Sequence, residues 1–287
     1  MKHGDFFSRG LSAKFIEKLL HGRFAGLLQA VIAEGLDVQI RENYIDVYHR
    51  GLAVLKLAEH SRPPEYRATI HRKFLSGVQL PDVVPRASGN YLHFAAAEEF
   101  AKRYVEHLPR ILSNAEQYAG TEATVEEDMI RASKTANSPV VFIDRQVQAH
   151  GIRKKADLLG VTAAADRVVL VELKQGRDSR IQSLMGQIAD YYHALTVPGG
   201  RLHEQVTDSC RRIVAQKKSL GLLPEHVMFP KTPPVVECLL VLYGYPLKSA
   251  LLDRLRSAAG CNDFKTSLVL LPKGCCVLPP SSAWDVL

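Results

Sequence analysis

The segment Arg167-Val-Val-Leu-Val-Glu-Leu-Lys174 constrains the fold more than any other part of the chain. Its run of apolar residues, mostly β-branched, leaves no polar face, so a strand built from it must be covered on both sides. Such a strand belongs inside a layered α/β sheet. Val235–Tyr243 reads the same way, interrupted only by Glu237.

The surrounding pattern supplies the layers. Thr124-Val-Glu-Glu127 has the spacing of a capping box, which predicts a helix starting there and ending near Asn137-Ser-Pro139. Strands are then expected at Val140–Ile143, around Ala156–Val161 and at Val168–Leu173. A helix from Arg180 to Leu195 stops before Pro198-Gly-Gly, and Val206–Leu220 reads as helical. Strand Val235–Tyr243, helix Leu247–Ala258 and strand Ser267–Leu271 complete the order. Upstream, Phe15, Leu19, Leu20, Phe24, Leu27, Leu28 and Ile32 follow helical spacing up to Gly35. Tyr44–His60 reads as a hairpin turning at Arg50-Gly51, and Tyr66–Phe74 as a third strand. A loop carries Pro81 and Pro85. Ala95–Leu112 is a helix that Pro109 is expected to kink or end. The pattern changes between residues 113 and 120. The expected organisation is therefore an N-terminal α+β domain over 1–115, for substrate or partner recognition, and a layered domain over 116–287.

Composition narrows the class. The chain has 287 residues with 46% hydrophobic and 23% charged side chains, which excludes a disordered chain and allows a large core. Its five cysteines are odd in number and lack metal-type CxxC spacing, so a reducing compartment, the cytoplasm, is expected. Cys275-Cys276 reads as a pair of buried strand-end thiols. No secretory signal is expected in MKHGDFFSRGLSAKF, and no apolar run reaches the roughly 20 residues of a membrane helix. No membrane partner follows. The net charge of +7 fits a polyanionic partner, although a basic excess also serves solubility alone.

Three pieces of the second segment carry chemistry. Lys155-Ala-Asp157-Leu-Leu-Gly-Val161 places a carboxylate in an apolar strand. Glu172 and Lys174 share one strand face by alternation, and a neighbouring strand would set Asp157 opposite them. On the following helix Ser183, Gln187 and Tyr191 recur every fourth residue and share a face. Two carboxylates on adjacent strands make a hard-oxygen site of the kind magnesium takes. A nearby lysine can stabilise a developing phosphate charge.

The series Asp157, Glu172-Leu-Lys174 and Gln187 on the next helix resembles the PD-(D/E)XK nuclease superfamily, the restriction-endonuclease-like group. Its core of helix, three strands, helix and strand has the order read above, and the resemblance covers roughly residues 122–245. It implies a mixed sheet flanked by helices and a metal-dependent nuclease. It also implies that Asp157, Glu172 and the Leu173 carbonyl hold Mg²⁺, with Mn²⁺ able to substitute. Lys174 is then the catalytic lysine, and Gln187 contacts the site or the substrate. A glutamate on the first helix is implied as a further ligand; Glu126 is chosen, though Glu122 and Glu127 fit equally. Ala156 stands where the family has proline.

Plainer readings exist for each residue. Asp157 could serve a turn, Glu172 and Lys174 a surface ion pair, and Glu126 a helix dipole. Gln187 could be a solvated helix position, and Tyr191 reads as core packing. An unpartnered buried carboxylate is costly, which favours chemistry for Asp157. The basic clusters Arg153, Lys154 and Lys155, with Arg180, and Arg211, Arg212, Lys217 and Lys218 are each explained by a solvated face. Beside such a site they are expected to contact a nucleic-acid backbone. The expected function is phosphodiester hydrolysis, of DNA first and by endonuclease action, in restriction, phage defence or repair. The alternative is a silent or partner-activated nucleic-acid-binding subunit with the same fold. A second copy or a partner protein would be further partners. The N-terminal mixture of tyrosines with arginines and lysines reads either as a nucleic-acid surface or as ordinary strand composition.

Overall fold

The structure is a computed structural model. It describes residues 8–135, 137–148, 155–176, 183–197, 201–230, 232–245, 250–259 and 264–287. The chain is mixed α/β with two sheets, in two compact units. One holds Arg9–Glu127 with Ala215–Leu222. The other holds Asp128–Val214 with Leu223–Leu287.

The first unit contains helices α1 (Ala13–Leu20) and α2 (Ala25–Ala33) and strands β1 (Asp37–Ile40), β2 (Tyr44–His49), β3 (Leu52–Glu59) and β4 (Tyr66–His71). Strands β5 (Val83–Ser88) and β6 (Tyr91–Ala95) and helix α3 (Glu98–Glu116) follow. The antiparallel sheet runs β1-β2-β3-β4-β6-β5. Strict alternation of buried and half-buried residues along β4 gives it one apolar face. That face, with Ile45, Val47, Leu55, Leu57, Ile70 and Phe94, shares a core with Phe15, Leu27, Phe100 and Tyr104 of the helices.

Local sequence signals explain most of these elements and misjudge a few. The single helix expected over residues 15–32 is two, parted at His21–Phe24, because Phe24 turns inward to meet Phe15 and Tyr66. Pro109 does not end its helix, which runs through to Glu116. Pro109 is exposed, so its ring lies on the solvent side of the helix. The loop with Pro81 and Pro85 includes β5, an edge strand whose register shifts between Val84 and Ser88, where proline is tolerated.

Helix α4 (Thr121–Ser133) starts before Thr124, so the capping box does not form. Thr124 Oγ1 instead donates back to the Gly120 carbonyl at 2.8 Å. Glu127 accepts the Gly51 amide at 2.8 Å and pins the hairpin turn, where Arg50 and Gly51 both have positive φ.

In the second unit β7 (Val140–Val147), β8 (Ala156–Thr162) and β9 (Arg167–Gln175) form an antiparallel meander. Helix α5 (Leu184–Leu195) and the short strands β10 (Thr196–Val197) and β11 (Arg201–Leu202) follow, then helix α6 (Glu204–Ser219). Strand β12 (Val235–Tyr243) returns beside β9 in parallel. Beyond helix α7 (Ala250–Ala259), β13 (Thr266–Leu271) pairs parallel with β12, and β14 (Asp285–Val286) closes the edge. The sheet order is β10-β11-β12-β9-β8-β7, with β13 on the other side of β12. Strand β9 is central, and its apolar residues are buried on both faces as its composition requires. Val161, Leu170, Leu240 and Leu242 pack with Leu184, Ile188 and Tyr192 of α5 in one core. Cys275 and Cys276 are half-buried after β13, not buried at a strand end, because the strand stops at Leu271. Among the described residues no helix is long and apolar enough to cross a membrane.

Gly160 marks the tightest point of the meander. A Cβ there would lie 2.4 Å from Val140 Cγ1 and 3.0 Å from Phe142 Cδ1. Gly160→Ala is expected to lower unfolding free energy by about 1–3 kcal/mol, measured by denaturant titration.

Candidate active site

The site forms where β8 and β9 part. Their ladder is regular from Val161↔Val168 to Leu158↔Val171, and one step further the same register sets Asp157 against Glu172. There the Asp157 side chain takes over from the backbone, its Oδ2 accepting the Leu173 amide at 2.7 Å. On its other side β9 stays paired with β12 as far as Gln175. The strand end is therefore held firmly while one flank opens.

Lys174 closes the arrangement. Its Nζ lies 2.7 Å from Glu172 Oε1 and 3.7 Å from Asp157 Oδ2, and it donates to the Leu173 carbonyl at 2.7 Å. Three oxygens from two strands thus surround one ammonium. The two carboxylate oxygens lie no further apart than the sum of their distances to that nitrogen, well under a nanometre. Asp157, Glu172 and Lys174 are all buried. Burial takes these charges from water, so the cluster depends on mutual attraction and hydrogen bonds.

Helix α5 supplies the next layer. Gln187 Nε2 donates to Glu172 Oε1 at 2.7 Å and also contacts the Tyr191 hydroxyl. That hydroxyl donates to the Lys155 carbonyl at 2.5 Å. A chain of polar contacts therefore runs from the backbone just before β8 through α5 to the end of β9. The Tyr191 ring is buried in the core beneath. Burial, then the Glu172 charge, push its phenol well above the usual tyrosine range. The fourfold spacing of Gln187 and Tyr191 was legible in the sequence, but the hydroxyl's partner was not. Core packing describes the ring of Tyr191 and omits its polar end.

The remaining expected residues are placed differently. Glu126 is buried on α4, in the segment grouped with the six-stranded sheet. Glu122 lies in the first turn of the same helix, and Glu127 is engaged by Gly51. Among the described residues no group of three or more His, Cys, Asp or Glu side chains suited to a metal ion is found. Lys155 is exposed. Arg153, Lys154 and Arg180 lie outside the described residues.

The donor set is chemically suited to a hard divalent cation. Two carboxylates and a backbone carbonyl already converge on a positive charge, and magnesium takes few protein oxygens while keeping several waters. Comparison with protein-family profiles and with curated proteins returns no match.

A phenol held above its unfolded value stays protonated in the folded chain while the unfolded chain ionises. Stability is then complete below about pH 10 and declines as pH rises further. Denaturant titrations at pH 9, 10 and 11 are expected to show a steeper alkaline loss for the wild type than for Tyr191→Phe.

Proposed function

We propose that this chain is a metal-dependent nuclease of the PD-(D/E)XK type, hydrolysing phosphodiester bonds and acting on DNA first. The observation that carries the reading is the gathering of Asp157 Oδ2, Glu172 Oε1 and the Leu173 carbonyl around the Lys174 ammonium. An antiparallel meander after α4, then α5 and a parallel β12, supports the restriction-endonuclease-like core. The basic net charge fits a polyanionic substrate.

Asp157, Glu172 and the Leu173 carbonyl would hold Mg²⁺. Bound there, the ion would supply charge neutralisation on the scissile phosphate and a water of lowered pKa. The chain's own groups have separable tasks. Asp157 links the ends of β8 and β9 through the Leu173 amide. Gln187 orients the Glu172 carboxylate, and Tyr191 anchors Gln187 to the Lys155 carbonyl. Lys174 places a positive charge beside the position of the phosphate, where it offsets the charge that develops on the phosphoryl oxygens. Restriction, defence against foreign DNA and repair are the roles such an activity serves.

Incubation of the chain with plasmid DNA, and separately with RNA, in Mg²⁺ or EDTA tests the reading. Cutting is expected only with the divalent ion, and a fall of roughly 100-fold or more is expected for Asp157→Asn, Glu172→Gln and Lys174→Ala. Gln187→Ala is expected to lose roughly tenfold through misplacement of Glu172. Cutting that survives in EDTA, or in Asp157→Asn, overturns the proposal; a chain inert on both substrates leaves the silent-subunit reading in its place.

The ammonium and a divalent cation compete for the same three oxygens. Lys174→Met is therefore expected to bind Mn²⁺ more tightly than the wild type in a calorimetric titration, while cutting less. Equal or weaker Mn²⁺ binding would show that the oxygens are not the ion's ligands.

A further inference from the structure

The six-stranded sheet has a second face, opposite its apolar one. Registers across β2, β3, β4 and β6 put Tyr44, Lys56, Arg67, Thr69, His71 and Tyr91 on it. At its β1 end this face is closed by Lys217, which donates to Gln39 Oε1 at 2.8 Å. Over β2, β3, β4 and β6 its polar and aromatic residues are half-buried or exposed, Tyr91 at 48%. A groove of about 390 Å³ follows Tyr44, Lys56, Arg67, Thr69 and His93.

The groove sets Lys56 and Arg67 beside Glu42 and Glu59, and Asp46 stands opposite Lys56 in the β2–β3 register. Among the described residues neither Lys56 nor Arg67 forms an ion pair with a carboxylate. Arg67 Nε is buried with no hydrogen-bond partner. The acids nearby are largely committed. Asp46 lies 3.7 Å from the Arg41 guanidinium, and Glu59 accepts hydrogen bonds from Ser12 and Tyr66; Glu42 stays exposed at the groove's end. His60 reports the potential: burial first, then Arg67 and Lys56, push its imidazole below the usual range.

Aromatic rings flank this charge at both ends. Lys56 Nζ stands 3.7 Å from the Tyr44 ring centre, and Tyr91 meets His71 edge-on at 5.0 Å. Flat rings beside cations on an open sheet suit unpaired bases with their phosphates, whereas a duplex hides the base faces that such rings would stack on.

We propose that this face, between Tyr44 and Tyr91, binds a single-stranded polynucleotide, with roughly two or three bases on the sheet. One base displaces the Lys56 ammonium from the Tyr44 ring, and Lys56 and Arg67 take the adjoining phosphates. The substrate class rests on the nuclease reading, which this inference deepens by assigning a strand-binding surface to the other unit.

Fluorescence anisotropy on the full chain in EDTA, with labelled oligothymidylate, oligouridylate and a duplex of equal length, tests it. Single strands are expected to bind more tightly than the duplex and to weaken with salt. Tyr44→Ala and Arg67→Glu are each expected to weaken single-strand binding roughly tenfold, with Lys102→Glu on α3 unchanged. Should Tyr44→Ala not fold, Lys56→Gln and Arg67→Gln carry the same test, since each only removes a charge at a half-buried position. Folded groove variants that bind like the wild type overturn the proposal, as does equal affinity for duplex. Comparing the two single strands assigns DNA or RNA. A chain that binds in this way without cutting overturns the hydrolytic reading alone; one that cuts with its groove variants binding normally overturns this one alone.

Discussion

A single buried ammonium organises the end of the central strand. Lys174 touches a carboxylate two residues back on its own strand, the carbonyl between them, and a carboxylate from the next strand. Each of these groups is costly to bury alone, and removing one partner from such a cluster typically costs a few kcal/mol. The cluster sits on backbone that is paired on both flanks. Strand β9 is fixed by β12 on one side and by the regular β8 ladder up to Leu158 on the other.

The same pairing positions the polar groups. Where the β8–β9 ladder ends, a carboxylate replaces a backbone carbonyl as acceptor, so polar groups gather just where the strands cease to satisfy one another. Helix α5 packs its apolar side on the sheet and turns Gln187 and Tyr191 along the same edge. Tyr191 joins the two requirements: its ring adds to the core, and its hydroxyl ties the helix to the chain entering β8. Preorganisation of this kind lets a charged group act without first rearranging its surroundings.

Much of this was legible in the sequence, and the failures have physical causes. Glu172 and Lys174 share a face because strands alternate, and the apolar run before them demanded cover on both sides. The hairpin at Arg50-Gly51 was readable because its turn needs backbone with positive φ. Thr124 and Glu127 misled because a helix's start depends on what meets its first turn, and here the helix begins at Thr121. Of the two outcomes expected for Pro109, a kink or a stop, the stop did not occur, because a proline removes only one bond of a helix that the core holds on both sides of it. The first-helix glutamate stayed ambiguous for a similar reason: three acids within one and a half turns differ only in what each helix face meets.

By itself the sequence determined the layered α/β class, the central strand and the face on which a carboxylate and an amine lie together. These follow from alternation and hydrophobic cover, which are properties of short windows. Tertiary structure alone decided that Asp157 reaches the same ammonium, that Tyr191 bonds to the Lys155 carbonyl, and that residues 215–222 join the first unit. Each of those depends on strand register, helix placement or chain return across many residues, and no local pattern encodes such distances.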